Sequence, residues 1–205
     1  MWHFTNSTSL CWDRDRGRNM ITDSEFSRIL GDAIAAIWEK EIKEDYINGW
    51  LLKEDTLKNA LYYHLRNRLG TLLDENNIRI FTEYNEGEFK RNGYRPDMII
   101  ARVDMDKDVS RWADAVTEYL AVIELKYKMG FAANKDISAD YEKLQDYVKT
   151  LGVGCKLYMA TIWECEDDAT AWTEDAEWNQ GKVTELNASY VRDSDGIPQF
   201  YVVKH

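Results

Sequence analysis

The sequence predicts an α/β fold, a mixed β-sheet flanked by helices, in a single domain of 205 residues. Two observations carry this. Over residues 54–163 the hydrophobic periodicity runs helix, three strands, helix, strand. The extended runs Met98-Ile99-Ile100-Ala101 and Ala121-Val122-Ile123 are apolar on both faces, as strands are when helices cover a sheet on each side. Composition agrees. With 44% hydrophobic and 31% charged residues the chain is globular, and its length is enough to bury a real core. Only 2 prolines are present, so no Pro-rich linker divides it.

Residues 1–21 show no periodicity, and Arg14, Arg16 and Arg18 alternate with Asp13 and Asp15, so a solvated N-terminal arm is expected. Thr22 or Asp23 reads as a helix N-cap. Phe26, Ile29, Leu30, Ala33, Ile37 and Trp38 then follow helical spacing, predicting an accessory helix within 22–53 that ends before Asn48-Gly49. Leu57, Leu61, Leu65, Leu69 and Leu72 predict a second helix from Glu54 to Asp74, with Glu54 on its apolar stripe. Asn76-Asn77 breaks it.

Ile78 to Tyr84 reads as a strand, in which parity puts Glu83 on the face of Arg79. Asn85 to Gly93 reads as a polar turn with Lys90 and Arg91 at its tip, in reach of nucleic acid, joining two strands into a hairpin. Asp104 to Arg111 is a charged loop, and Trp112 to Glu118 fits either a helical turn or an extended start to the next strand. Ile137, Tyr141, Leu144, Val148 and Leu151 predict a helix opening at Asn134 or Asp136 and closed by Gly152 and Gly154. Cys155 to Trp163 reads as an apolar strand. Residues 164–205 comprise an acidic segment and a terminal hairpin, Val183–Val191 with Gln199–Val203, turned at Asp195-Gly196.

Charge on the two central apolar runs points to chemistry. Asp97 directly precedes the first, and Glu124 and Lys126 close the second around Leu125. Side chains two apart share a strand face, so Glu124 and Lys126 point the same way, with Lys128 continuing the row. If the strands pair as a hairpin, Asp97 lies across from Glu124. Two carboxylates and an ammonium then meet on an apolar sheet. Mg2+ is commonly held by one or two carboxylates with water and substrate phosphates, so Mg2+ or Mn2+ is the expected cofactor.

Pro96-Asp97 followed by Glu124-Leu125-Lys126 resembles the PD-(D/E)XK signature of the restriction-endonuclease-like nucleases. The resemblance covers residues 54–163 and implies an α-β-β-β-α-β core, here with an added N-terminal helix and C-terminal hairpin. It implies a metal-dependent nuclease cutting DNA, in which Asp97 and Glu124 hold the ion with the Leu125 carbonyl, and Lys126 positions water and holds the scissile phosphate. It also implies a further metal-linked carboxylate, Glu54 or Glu83. Asp140-Tyr141-Glu142-Lys143-Leu144 with Tyr147 looks like the D-x-x-K-L pattern that follows E-x-K in such proteins, which puts Lys143 or Gln145 near the phosphate. Lys90, Arg91, Arg95 and Lys128 are the remaining expected nucleic-acid contacts. Gln145 is followed by Lys149, not by a tyrosine, so the helicase-linked branch is not supported.

The formal net charge of −11 opposes nucleic-acid binding, whose affinity comes mostly from Lys and Arg at phosphates. The charge is uneven, however. Glu164 to Glu177 holds seven carboxylates and no base, whereas Lys58 to Arg95 holds seven Lys/Arg against five acids. A non-catalytic binding or regulatory protein, its acidic run imitating phosphates, is therefore the alternative expectation. Cys11, Cys155 and Cys165 are odd in number and lack C-x-x-C spacing, which fits a reducing, cytoplasmic setting. No signal peptide or membrane span is read. A homodimer is among the expected partners, and the eight tryptophans favour a third reading, a purely structural oligomer.

Overall fold

The computed structural model describes residues 11–13, 18–128, 135–164, 173, 176–179, 181–196 and 198–204. Two short strands, β1 (Cys11–Asp13) and β2 (Arg18–Met20), pair antiparallel. They replace part of the expected arm, since three-residue strands are too short to show alternation. α1 (Asp23–Ile37) begins where the Thr22 hydroxyl accepts the Glu25 N–H at 3.2 Å. It continues through a π-helical turn (Trp38–Ile42) into α2 (Lys43–Ile47). The expected accessory helix is thus present with one widened turn. α3 (Glu54–Glu75) buries Leu57, Leu61, Leu65, Leu69 and Leu73. The stripe ends on Leu73 in place of Leu72, which is only partly buried.

Six strands form the main sheet: β3 (Ile78–Thr82), β4 (Met98–Val103), β5 (Val116–Lys128), β6 (Lys156–Glu164), β7 (Val183–Arg192) and β8 (Pro198–Lys204), side by side in that order. β3, β4 and β5 are mutually antiparallel, β5, β6 and β7 are parallel, and β8 closes the edge antiparallel to β7. Parallel neighbours need a crossover connection. Between β5 and β6 it contains α5 (Lys135–Thr150).

The sheet has a core on each face. Met98, Ile100, Ala121, Ile123 and Leu125 pack with α1 and α3. Ile99, Ala101, Val122, Leu157 and Met159 pack with Tyr141, Leu144, Tyr147 and Val148 of α5 and with Leu151 just beyond it. This two-sided burial is why the central strands are continuously apolar. β5, β6 and β7 present their C-terminal ends at one edge, and antiparallel β4 begins there. In open α/β sheets that edge is where ligands bind.

Two local expectations change, and a third, left open by the sequence, is decided. The span Asn85 to Gly93 is not a plain turn but contains a short helix, α4 (Gly87–Arg91). Phe89 explains it, for its ring lies 5.9, 5.0 and 5.4 Å from those of Tyr84, Tyr119 and Tyr147, each edge-on. Glu83 is no longer in β3. It sits at φ 52, so strand parity does not set its face. Trp112–Ala115 is a 3-10 turn, and β5 starts right after it at Val116.

Phe89 is 1% exposed and supports Tyr147, which faces the cluster described next. Phe89→Ala is expected to lower unfolding stability by about 3–5 kcal/mol, the range for large-to-small core changes. Urea denaturation measures it, and a loss under about 1 kcal/mol contradicts the packing role.

Candidate functional site

The site is set by strand register. Met98 pairs with Ile123, so the next residue outward, Asp97, comes opposite Glu124. Asp97 shares the face of Ile99, and Glu124 shares that of Val122, which is the face covered by α5. Asp97 is tied across the gap, because its Oδ2 accepts the Leu125 N–H at 2.9 Å. Glu124 is 1% exposed, and its Oε1 accepts the Tyr147 hydroxyl at 3.0 Å.

Lysines surround this pair. Lys126 Nζ lies 3.0 Å from Glu54 Oε2, at the first turn of α3, and 2.8 Å from Asp140 Oδ2 of α5. Lys143, one turn along α5, reaches the other oxygen of Asp140 at 2.6 Å. Lys58, buried on α3, donates to Glu83 and lies 3.6 Å from Asp97 Oδ1. Arg95 Nε contacts Glu83 Oε2 at 2.8 Å. Two cations therefore converge on Glu83, a non-glycine residue in the left-handed region, where an L side chain crowds its own backbone. The Glu83 N–H also donates to the Asp97 carbonyl at 3.0 Å, so this strained residue frames Asp97.

Electrostatics separate the groups. Burial, and then the Asp97 charge beside it, push Glu124 well above the usual carboxylate range, with Lys143 and the Tyr147 hydrogen bond opposing. Burial also raises Glu54, against the pull of Lys126. Burial on its own would lower the Lys126 ammonium, but Asp140 and Glu54 overcome it and hold the group above its ordinary range. Lys143 is raised likewise, against burial, by Glu124 and Asp140. Glu124 is thus short of positive charge, while Lys126 and Lys143 stay cationic.

Compared with family models, curated proteins and solved structures, the chain matches none. Asp97, Glu124, Lys126, Glu54 and Lys143 come together, and Glu83 joins through Lys58. Both carboxylates offered as alternatives border the cluster, Glu54 through Lys126 and Glu83 through Lys58. Leu125 directs its N–H toward Asp97, and in an extended strand the carbonyl of the same residue projects to that side too. Among the described residues, no three His, Cys, Asp or Glu side chains converge closely enough to hold an ion by themselves.

The outlying residues fare differently. Gln145 is two residues from both Lys143 and Tyr147, so the helical repeat turns it away from them. Lys90 and Arg91 are exposed on α4 and face Glu86 and Glu88 at 3.8 and 3.7 Å. The Lys128 side chain and most of the acidic window lie outside the described residues. No helix among the described residues is long and apolar enough to cross a membrane.

Sequence reasoning missed Lys58, Asp140 and Tyr147 as site residues. Lys58 is a lone lysine beside a leucine stripe, and nothing local distinguishes it from a solvated one. Asp140 and Tyr147 stand in the quoted helical pattern, but only the packing of α5 on β5 reveals what they touch.

The raised Glu124 predicts a pH dependence. The folded chain keeps a proton that the unfolded chain has already lost near the ordinary value of 4.5. Stability therefore falls as pH rises from that value through the folded one, opposite to a salt-bridged acid. With metals chelated, Glu124→Gln is expected to gain stability over the parent as pH goes from about 5 to about 8. Thermal melts across that range check it, and parallel curves would contradict it.

Proposed function

We propose that this chain is a metal-dependent nuclease that hydrolyses phosphodiester bonds in DNA, built on a restriction-endonuclease-like core. The reading is carried by one observation, the meeting of Asp97 and buried Glu124 on one sheet face with Lys126 two residues on. The order α3, β3, β4, β5, α5, β6, with the short α4 inserted between β3 and β4, supports the same reading. The donor set fits a hard divalent cation. Glu124 is destabilised as an anion by burial and by Asp97, and a cation between the two relieves both. Asp97, Glu124 and the Leu125 carbonyl would hold Mg2+ or Mn2+, with water and phosphate completing the oxygen set.

Bound there, the ion supplies a Lewis acid that activates water and offsets charge on the phosphate. The protein's own groups do the rest. Lys126 stays protonated between Asp140 and Glu54, so it serves as a cation and hydrogen-bond donor to the phosphate, not as a base. Lys143 brings a second positive charge toward Glu124. Tyr147 holds the Glu124 carboxyl through its hydroxyl and fixes its rotamer.

The test is cleavage of plasmid, linear and single-stranded DNA in Mg2+ or Mn2+. Asp97→Ala and Glu124→Gln are each expected to lose at least about a hundredfold in rate, roughly 3 kcal/mol of transition-state stabilisation. Cleavage that survives Asp97→Ala points to another site or a contaminant, and an inactive parent chain rejects the proposal.

One observation favours a second reading, a non-catalytic nucleic-acid- or protein-binding protein on the same scaffold. Lys58, Lys126 and Lys143 each already face a carboxylate, in a chain of net charge −11. Under it, Mg2+ leaves every DNA substrate intact, while deleting residues 164–177 strengthens nucleic-acid binding in a gel-shift assay.

A further inference from the structure

Asp140 bridges two ammonium groups with one carboxylate. Its Oδ1 is 2.6 Å from Lys143 Nζ, and its Oδ2 is 2.8 Å from Lys126 Nζ. The aspartate is 4% exposed, whereas the side chains of Lys126 and Lys143 are 19% and 30% exposed. A buried anion therefore holds two cations that solvent still reaches. A simple structural ion pair needs only one lysine, and Lys126 already has Glu54 at 3.0 Å. Glu54 and Asp140 balance the two lysines in charge, and Asp140 is the carboxylate that touches both.

The geometry has a chemical counterpart. A carboxylate and a phosphodiester both offer two oxygens on one centre that share one negative charge, and both accept charge-assisted hydrogen bonds from ammonium donors. Lysine stems are long and flexible, so the two ammonium groups can turn from a buried carboxylate to an arriving phosphate while the helix stays in place. The pair also sits against Glu124, on which Lys143 acts electrostatically.

We infer that Lys126 and Lys143 form a phosphodiester subsite, and that Asp140 stands in for the phosphate until nucleic acid takes its place. The inference rests on the nuclease reading for its ligand class. Asp140 then yields the two lysines to an anion of higher charge than its own, the phosphate dianion or a polyanion whose neighbouring phosphates help draw the lysines away. It also keeps two lysines from facing each other across the site with no anion between them.

Two metal-free experiments test it, both on the full chain in chelator. Inorganic phosphate is titrated into the parent protein while NMR follows the lysine side-chain resonances. Those of Lys126 and Lys143 are expected to move together, and no movement at millimolar phosphate overturns the subsite. Fluorescein-labelled single-stranded oligonucleotide is then bound to Asp140→Asn, with about tenfold tighter binding expected at low salt and a salt slope steeper by about one to two. Adding Lys143→Met should remove the gain. Unchanged affinity in Asp140→Asn rejects the stand-in role, and if that variant does not fold, the titration of the parent decides alone. Failure is separable from failure of the nuclease reading. A chain that cleaves DNA but shows neither effect keeps the activity and loses the Asp140 role. A chain that shows both effects yet never cleaves keeps the subsite and loses the activity.

Discussion

The register of β4 against β5 governs everything the site can do. Pairing Met98 with Ile123 brings Asp97 opposite Glu124. A slip of one residue would send the whole set of one strand to the other face, putting Asp97 among the leucines of α3 and the isoleucines into the polar cluster. The register is held by burial on both faces. Ile99 and Ile100 are each fully buried, on opposite sides. The hydrogen bond from Leu125 N–H to the Asp97 carboxylate extends the ladder past its last backbone pair.

Around that register the charges are arranged in alternation. Carboxylates on α3, β5 and α5, and at both ends of the β3–β4 connection, face lysines drawn from α3, β5 and α5. Buried ions are costly unless paired, and here each lysine of the cluster has at least one acid within 4 Å. Glu124 is the exception in kind. Its hydrogen bond comes from a neutral tyrosine, and a second acid lies beside it. The result is a deficit of positive charge at one point inside a balanced network, which is how a site can attract a cation without the fold depending on it. The aromatic cluster of Tyr84, Phe89, Tyr119 and Tyr147 supports that point from behind.

Much of this was legible beforehand because it is local. Helix and strand periods placed α1, α3, α5 and all six strands of the main sheet within a few residues, and the Asp97, Glu124 and Lys126 trio followed from period-two alternation. What failed was also physical. The helix α4 exists because Phe89 finds three tyrosines distant in sequence. Glu83 left its strand because Lys58, Arg95 and the Asp97 backbone hold it in a left-handed conformation that no pattern announces. Between Lys143 and Gln145 the sequence left the choice open, and it is Lys143 that the packing of α5 brings to Asp140.

The sequence by itself determined the order of elements, the two-sided burial of the central strands and the three charged residues that interrupt them. These follow from side-chain periodicity and from the cost of charge on an apolar strand, both properties of neighbours along the chain. Only the tertiary structure decided that Asp140 joins Lys126 to Lys143, that Lys58 backs Asp97, and that Tyr147 meets Glu124. Those contacts depend on how α3 and α5 sit over opposite faces of one sheet. Packing between elements sets that, because a helix carries no local record of which strand it will cover.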